Sequence, residues 1–290
     1  MALDRKEKNK KIFEDTMQLC RTNNRLKQAI KVSRAKQYIV EEQAEILEDK
    51  TKKHDTPAQI IVSKKRSLEA AGNKEYEGLK VCVLNFASAT NPGGGVERGM
   101  SAQEECICRC STLYPNISTN VMRQGFHGKH KALLKQNKMN ATYNDDCIFT
   151  PEVIIFKTDD ENCNTMEETQ WYNVDIITCA APNLRKRPSN PMNPDSGEAI
   201  QISEQQLKAL HQKRLRRILS IAKQENEDVV ILGAFGCGAF QNPPEVVAEA
   251  FEDVIQEFLF DFQVIEFAVY CTPRETNNYD TFCRIFGKYE

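Results

Sequence analysis

Asn91-Pro-Gly-Gly-Gly-Val-Glu-Arg-Gly-Met-Ser-Ala-Gln-Glu-Glu105 places three consecutive glycines between an apolar run and a helical pattern. The run before it, residues 79–86 (Leu-Lys-Val-Cys-Val-Leu-Asn-Phe), predicts a buried strand. The helical pattern, residues 101–114, opens on the adjacent carboxylates Glu104 and Glu105. Glycine takes φ > 0 at no side-chain cost and lets a backbone approach a ligand closely. A helix N-terminus offers unpaired N–H groups that attract phosphate. A carboxylate beside such a cradle can act as an acid or base on a phosphate-bearing ligand.

Ser101-Ala102-Gln103-Glu104 also fits a capping box, with Ser101 as N-cap and Glu104 reaching back to its N–H. Glu104 therefore has two competing readings, structural and functional. Consecutive helical positions differ by about 100°, so Glu104 and Glu105 do not flank one bond as the two carboxyls of ordinary glycosidases do. One carboxyl must then carry both proton transfers, and Glu105 is the choice. Its neighbour and burial would raise its pKa while the helix N-terminus would lower it.

A second loop has the same grammar. Residues 228–232 predict a buried strand, followed by Gly233-Ala-Phe-Gly-Cys-Gly-Ala-Phe240 and a helix opened by Gln241-Asn-Pro-Pro-Glu245, with Asn242 as its cap. Successive N–H groups in such a loop form an anion-binding nest. The Lys-Ser/Thr of a nucleoside triphosphatase and the Gly-x-Gly-x-x-Gly of a dehydrogenase are both missing. Two glycine loops, one bearing acids, suit a ligand with a diphosphate and two sugars. Phe235 reads as core, and Phe240 as a residue lining the pocket.

Further strands are predicted at 59–62, 153–156, 174–179 and 265–270, and helices at 67–71, 120–136, 204–225, 244–260 and 276–286. This alternation predicts a layered α/β sheet with helices on both faces. Residues 157–170 and 183–198 read as surface loops. Residues 1–56 read as a helical extension packed on a body spanning 57–290.

Composition adds limits. With 290 residues, 28% charged, and a formal net charge of −2, the chain has no global bias toward a polyanion. Its apolar runs are too short to span a bilayer and its start has no signal-peptide pattern, which predicts a cytoplasmic or nuclear protein. The eleven cysteines then read as reduced packing thiols, including Cys106, Cys108 and Cys110. His127 and His130 fall in a Lys-rich helix and read as solvated. Lys208, Lys213, Arg214, Arg216 and Arg217 read as a solvated helix face that could attract an anionic polymer.

The run 83–95 (Val-Leu-Asn-Phe-Ala-Ser-Ala-Thr-Asn-Pro-Gly-Gly-Gly), Gln103-Glu104-Glu105, Ser111-Thr-Leu-Tyr114, Ala180-Ala-Pro-Asn183 and 233–240 together resemble the bacterial-type poly(ADP-ribose) glycohydrolases. The resemblance covers about residues 62–286. It implies a three-layer α/β/α macrodomain-like mixed sheet that binds the terminal ADP-ribose of poly(ADP-ribose) and hydrolyses the ribose–ribose bond. By match, Glu105 is the acid/base, with Glu104 and Gln103 holding ribose hydroxyls and orienting it. Asn91 and the Gly93, Gly94 and Gly95 backbone would grip the distal ribose, and Val96 counts among the substrate-binding residues. Gly236, Cys237, Gly238 and Ala239 would cradle the diphosphate. Phe240 would stack on the ligand and favour attack from the chain end.

No metal and no cofactor is implied. The implied partners are poly(ADP-ribose), ADP-ribosylated proteins and the product ADP-ribose, with no membrane and no obligate protein partner. One alternative is a macrodomain that reads ADP-ribose without cleaving it, which needs no carboxylate at a glycosidic bond. Another is a hydrolase of single ADP-ribose or of O-acetyl-ADP-ribose, which shares the glycine loops. A third is a scaffold built around the basic helix.

Overall fold

In the computed structural model, which describes residues 4–46, 51–189 and 194–289, each central strand divides its side chains between two apolar clusters. In β3 (Val81–Phe86), Cys82 and Leu84 enter one cluster while Val81 and Val83 enter the other. In β6 (Val229–Leu232), Val230 and Leu232 oppose Val229 and Ile231 in the same way. This period-two division requires a covering layer on each face of the sheet. Residues 190–193, part of the predicted loop 183–198, lie outside the described residues, as do 1–3 and 47–50 of the predicted extension.

The sheet has seven strands in the order β1-β4-β5-β3-β6-β7-β2. The flanking strands are β1 (Tyr38–Val40), β2 (Gln59–Ser63), β4 (Cys147–Ile155), β5 (Tyr172–Cys179) and β7 (Val264–Ala268). Pairing from β5 through β3, β6 and β7 to β2 is parallel, and the β1–β4 and β4–β5 pairs are antiparallel. The parallel strands therefore deliver their carboxyl ends to one edge of the sheet.

One face is covered by α8 (Glu204–Gln224), α9 (Pro244–Ile255) and α10 (Asn277–Phe286), which bury Leu215, Phe251 and Phe282 among others. The other is covered by α3 (Ser67–Ala71), α4 (Gln103–Cys110) and α5 (Leu113–Ile117). Two N-terminal helices, α1 (Asp4–Thr22) and α2 (Asn24–Lys36), pack over that second layer. Phe13 meets the Tyr114 ring edge-on at 4.9 Å, and Thr16 donates to the Arg109 carbonyl at 2.6 Å. The segment before residue 57 thus holds helices and also one strand of the sheet, β1.

Three expectations are corrected here. Helix 120–136 is continuous but contains a π-helical turn, 123–128, between α6 (Asn120–Met122) and α7 (Lys129–Lys135). His127 and His130 on it are buried rather than solvated; His130 sits between the Ala89 carbonyl and Asn144 Oδ1. On α8, Arg214 is fully buried, donating to Asp145 at 2.8 Å and to the Ala180 carbonyl at 2.7 Å. Lysines on the outer faces masked these inward-pointing groups. Among the described residues, no helix is long and apolar enough to cross a membrane.

Candidate active site

The C-terminal end of β3 and the first turn of α4 are bound together by one side chain. Gln103 Oε1 accepts from the Phe86 N–H at 2.8 Å, while its Nε2 donates to the Leu84 carbonyl at 2.7 Å and to Ser67 Oγ at 3.0 Å. Its amide is therefore committed to backbone and to α3. Gln103 acts as the brace that aims the next two residues.

Glu104 is 2% exposed, and its carboxylate accepts from the N–H groups of Ser88 at 2.7 Å and Gly93 at 3.1 Å, with Asn85 Nδ2 at 3.4 Å. The capping box expected from Ser101 to Glu104 does not form. Ala102 is the N-cap, without a side-chain bond, because the glutamate turns to the glycine loop instead. Burial and the neighbouring Glu105 carboxylate push Glu104 well above the usual carboxylate range, outweighing the amides that oppose them.

Glu105 is held differently. Its Oε1 accepts from the Gly95 N–H at 2.8 Å, and its Oε2 is buried with no hydrogen-bond partner among the described residues. Gly94, at φ +58°, lies against both carboxylates; a Cβ there would stand 2.6 Å from Glu105 Oε1 and 3.1 Å from Glu104 Oε2. Only glycine fits this position.

The second loop leaves β6 and turns back on a buried latch. Asn242 is not the cap of α9, which is Pro243. Asn242 Nδ2 instead donates to the carbonyls of Pro182 at 2.7 Å and Gly236 at 3.0 Å, and its Oδ1 meets His211 Nε2 at 2.9 Å. Gly236, at φ +82°, packs against this amide and Ala181. Among the described residues, the N–H groups of Gly236, Gly238, Ala239 and Phe240 donate to no partner. That is the donor set of an anion nest.

A cavity of about 590 Å³ joins the two loops. Gly94, Gly95, Gln103, Glu104 and Glu105 line one part of it, and Gly236, Gly238, Ala239 and Phe240 another. Four predicted binding residues stand behind this wall. Asn91 accepts from Lys131 Nζ at 3.2 Å, Gly93 sits under the Tyr114 ring, and Val96 is core. Cys237 packs against the cluster beneath α8 and α9.

Other lining residues carry no local motif. Arg66, after β2, lies 4.2 Å over the Tyr270 ring, after β7. Arg185 lies 5.4 Å over the Phe240 ring, and Tyr143 flanks Phe240 at 6.3 Å. The available signal was positional: loops after parallel strands converge at this edge.

A three-layer α/β/α, macrodomain-like body with two glycine loops at one sheet edge defines the class. Residues 5–158 match the family described as microbial-type PARG, catalytic domain, and the chain belongs to that family of poly(ADP-ribose) glycohydrolases (PARG). Among solved structures it is similar to the Thermomonospora curvata PARG, at 26% identity over 97% of this chain and 100% of that one, with a TM-score of 0.81. The same bacterium's enzyme bound to the inhibitor ADP-HPD matches at 25% identity over 95% and 98%, TM-score 0.77. The Deinococcus radiodurans PARG in complex with ADP-ribose matches at 26% identity over 89% and 97%, TM-score 0.72. No curated protein matches the sequence.

Proposed function

We propose that this chain hydrolyses the ribose–ribose O-glycosidic bond of poly(ADP-ribose) and releases ADP-ribose from the chain end, with Glu105 as general acid and base. The observation that carries this reading is the asymmetry of the carboxyl pair. Both oxygens of Glu104 accept hydrogen bonds, whereas Glu105 keeps one buried oxygen without a partner among the described residues at the cavity wall. A reader of ADP-ribose gains nothing from such an oxygen. Complexes of the family relatives with ADP-ribose and ADP-HPD support the ligand class.

In this mechanism the diphosphate lies on the free N–H groups of the second loop, and Phe240 covers the ligand. Binding energy gathered there positions the anomeric carbon at Glu105. Glu105 protonates the departing ribose oxygen as positive charge develops at the anomeric carbon, then takes a proton from the attacking water. Gly95 N–H keeps the carboxyl plane aimed through both steps, and Gln103 keeps α4 against β3. Glu104 contributes by accepting from the Ser88 and Gly93 N–H groups, which fixes the glycine loop. ADP-ribosylated proteins bearing the polymer are the proposed source of substrate.

Labelled poly(ADP-ribose) incubated with wild type and with Glu105→Gln tests this. General acid–base catalysis supplies about 10²–10⁴-fold, so the variant is expected to bind ADP-ribose with little change and release product at least ~100-fold more slowly. Equal turnover by both proteins removes Glu105 from the mechanism.

A further inference from the structure

Cys110 and Cys163 lie in sulfur–sulfur contact, 3.9 Å apart, outside the catalytic cavity. Cys110 is the last residue of α4, the helix whose first turn carries Glu104 and Glu105. Cys163 belongs to the loop after β4, which closes as a small hairpin through the Lys157–Thr165 bridge. Cys110 Sγ also reaches the Thr158 carbonyl at 3.3 Å, and Cys163 Sγ the Asp160 carbonyl at 3.3 Å. Cys163 is 8% exposed with exposed neighbours at Glu161, Asn162 and Asn164, whereas Cys110 is sealed.

The electrostatics of the two sulfurs differ. The hydrogen bond from Cys110 and the nearby Arg109 guanidinium hold the Cys163 thiol below the ordinary thiol range, against its burial. Donating that hydrogen bond, and buried besides, Cys110 is raised. Another close pair supplies an internal contrast. Cys147 and Cys179 face each other across β4 and β5, both with no exposure, and their hydrogen bond, with burial, pushes Cys147 far up.

We propose that Cys163 and Cys110 form a hydroperoxide-oxidisable dithiol, whose disulfide locks the 157–165 hairpin onto the helix that carries Glu105. The Cys163 thiolate attacks one oxygen of the hydroperoxide, the O–O bond breaks, and Cys163 becomes a sulfenic acid while the other oxygen leaves as alcohol or water after taking a proton. Cys110 sulfur then attacks the Cys163 sulfur. The S–O bond breaks, hydroxide departs with the Cys110 proton as water, and the S–S bond forms. Two thiols lose two electrons in total and the peroxide gains them. Closing the sulfurs from 3.9 Å to the roughly 2 Å of a disulfide falls on the hairpin, since α4 is packed on its sheet face. Asp159 in that hairpin lines the cavity and accepts from the Leu68 N–H at 3.1 Å, so the lock bears on the cavity wall.

Reduced full-length protein, treated with a few equivalents of hydrogen peroxide, alkylated and digested without reductant, tests the proposal by mass spectrometry. The expected product is a Cys110–Cys163 peptide pair two hydrogens lighter than its parts, with Cys163 consumed at least ~10-fold faster than Cys147. In Cys110→Ser, Cys163 is expected to stay as a sulfenic acid that dimedone traps. Amide exchange across residues 158–166 is expected to slow several-fold on oxidation and recover with dithiothreitol. Consumption of Cys163 no faster than Cys147, a dominant Cys163–Cys106 or Cys147–Cys179 link, or unchanged exchange in linked protein would each overturn it. The wild-type measurements need no variant, so a misfolded Cys110→Ser leaves the outcome decided by them.

Discussion

The two glycine loops read alike in sequence and are wired in opposite ways. In the first, the Gly93 and Gly95 N–H groups are taken by Glu104 and Glu105, and the Gly94 N–H by the Asn91 carbonyl. In the second, the N–H groups of Gly236, Gly238, Ala239 and Phe240 are free among the described residues. The first loop therefore positions acids, and the second offers donors to an anion. A strand, a glycine loop and a helix N-terminus specify a place for ligand, but the side chains of the following helix decide whether the loop's amides serve the protein or the ligand.

The largest effect that would break this contrast comes from Gly94→Ala. Its Cβ would meet Glu105 Oε1 at 2.6 Å, at a φ of +58° that L residues rarely adopt. Displacing the carboxyl by even about 1 Å can cost ~100-fold in turnover, so kcat is expected to fall by that order, with destabilisation of about 1–3 kcal/mol. Near-normal kcat in a folded Gly94→Ala protein would mean the first loop does not aim the acid.

Next in size is the latch beneath the second loop. Burial pushes His211 down to about 4, and its Nδ1 is buried without an acceptor, so a second proton there has no partner. A histidine with its folded-state pKa below the unfolded value of about 6.5 stabilises the fold fully above that value, and the contribution is lost as pH falls through the window toward 4. The loss expected from His211 by pH 5 is about 2 kcal/mol. Urea unfolding of wild type and His211→Gln at pH 7 and pH 5 measures it; the variant is expected to lose less on acidification, because it lacks this group. An equal pH dependence in both proteins would place the acid sensitivity elsewhere. Buried His127, pushed down to about 3, contributes with the same sign to both.

Much of this contrast could be read beforehand, and the rest could not for definable reasons. The strands at 81–86 and 229–232 announce themselves by apolar runs, because both of their faces are buried. Strand Tyr38–Val40 does not, since three residues between charged segments become a strand only by pairing with β4. The predicted strand at 153–156 begins in fact at Cys147, hidden by Pro151 and by Glu152 at φ +55°, where the register shifts. Ser101 and Glu104 satisfy a local capping pattern, yet loop N–H groups brought in by the fold claim the glutamate. Gln103 is legible as a member of the motif, but the brace it forms between β3 and α3 exists only in three dimensions. Phe235, read as core, is buried, with its ring 5.5 Å from that of Phe86.

A smaller effect is expected at Phe240, half-buried between Tyr143 and the Arg185 guanidinium. Removing its ring in Phe240→Ala is expected to weaken ADP-ribose binding by roughly tenfold, the scale of about 1–2 kcal/mol for an aromatic contact. Calorimetric titration with ADP-ribose measures this. Unchanged affinity would reassign the ring to packing.

The smallest expected effect gives the sharpest comparison, because it repeats the Gly94 substitution in the other loop. At Gly238 an added Cβ meets nothing within 4 Å, and the backbone is not left-handed. Gly238→Ala is therefore expected to fold with stability within about 0.5 kcal/mol of wild type. Its methyl sits at a cavity-lining position among the free N–H groups, so the consequence belongs to ligand binding alone. KM is expected to rise by a few-fold with kcat unchanged, the signature of an interaction equal in ground and transition states. If the same methyl lowered kcat here as much as at Gly94, the second loop would be shaping the acid as well, and the division of labour between the loops would fail.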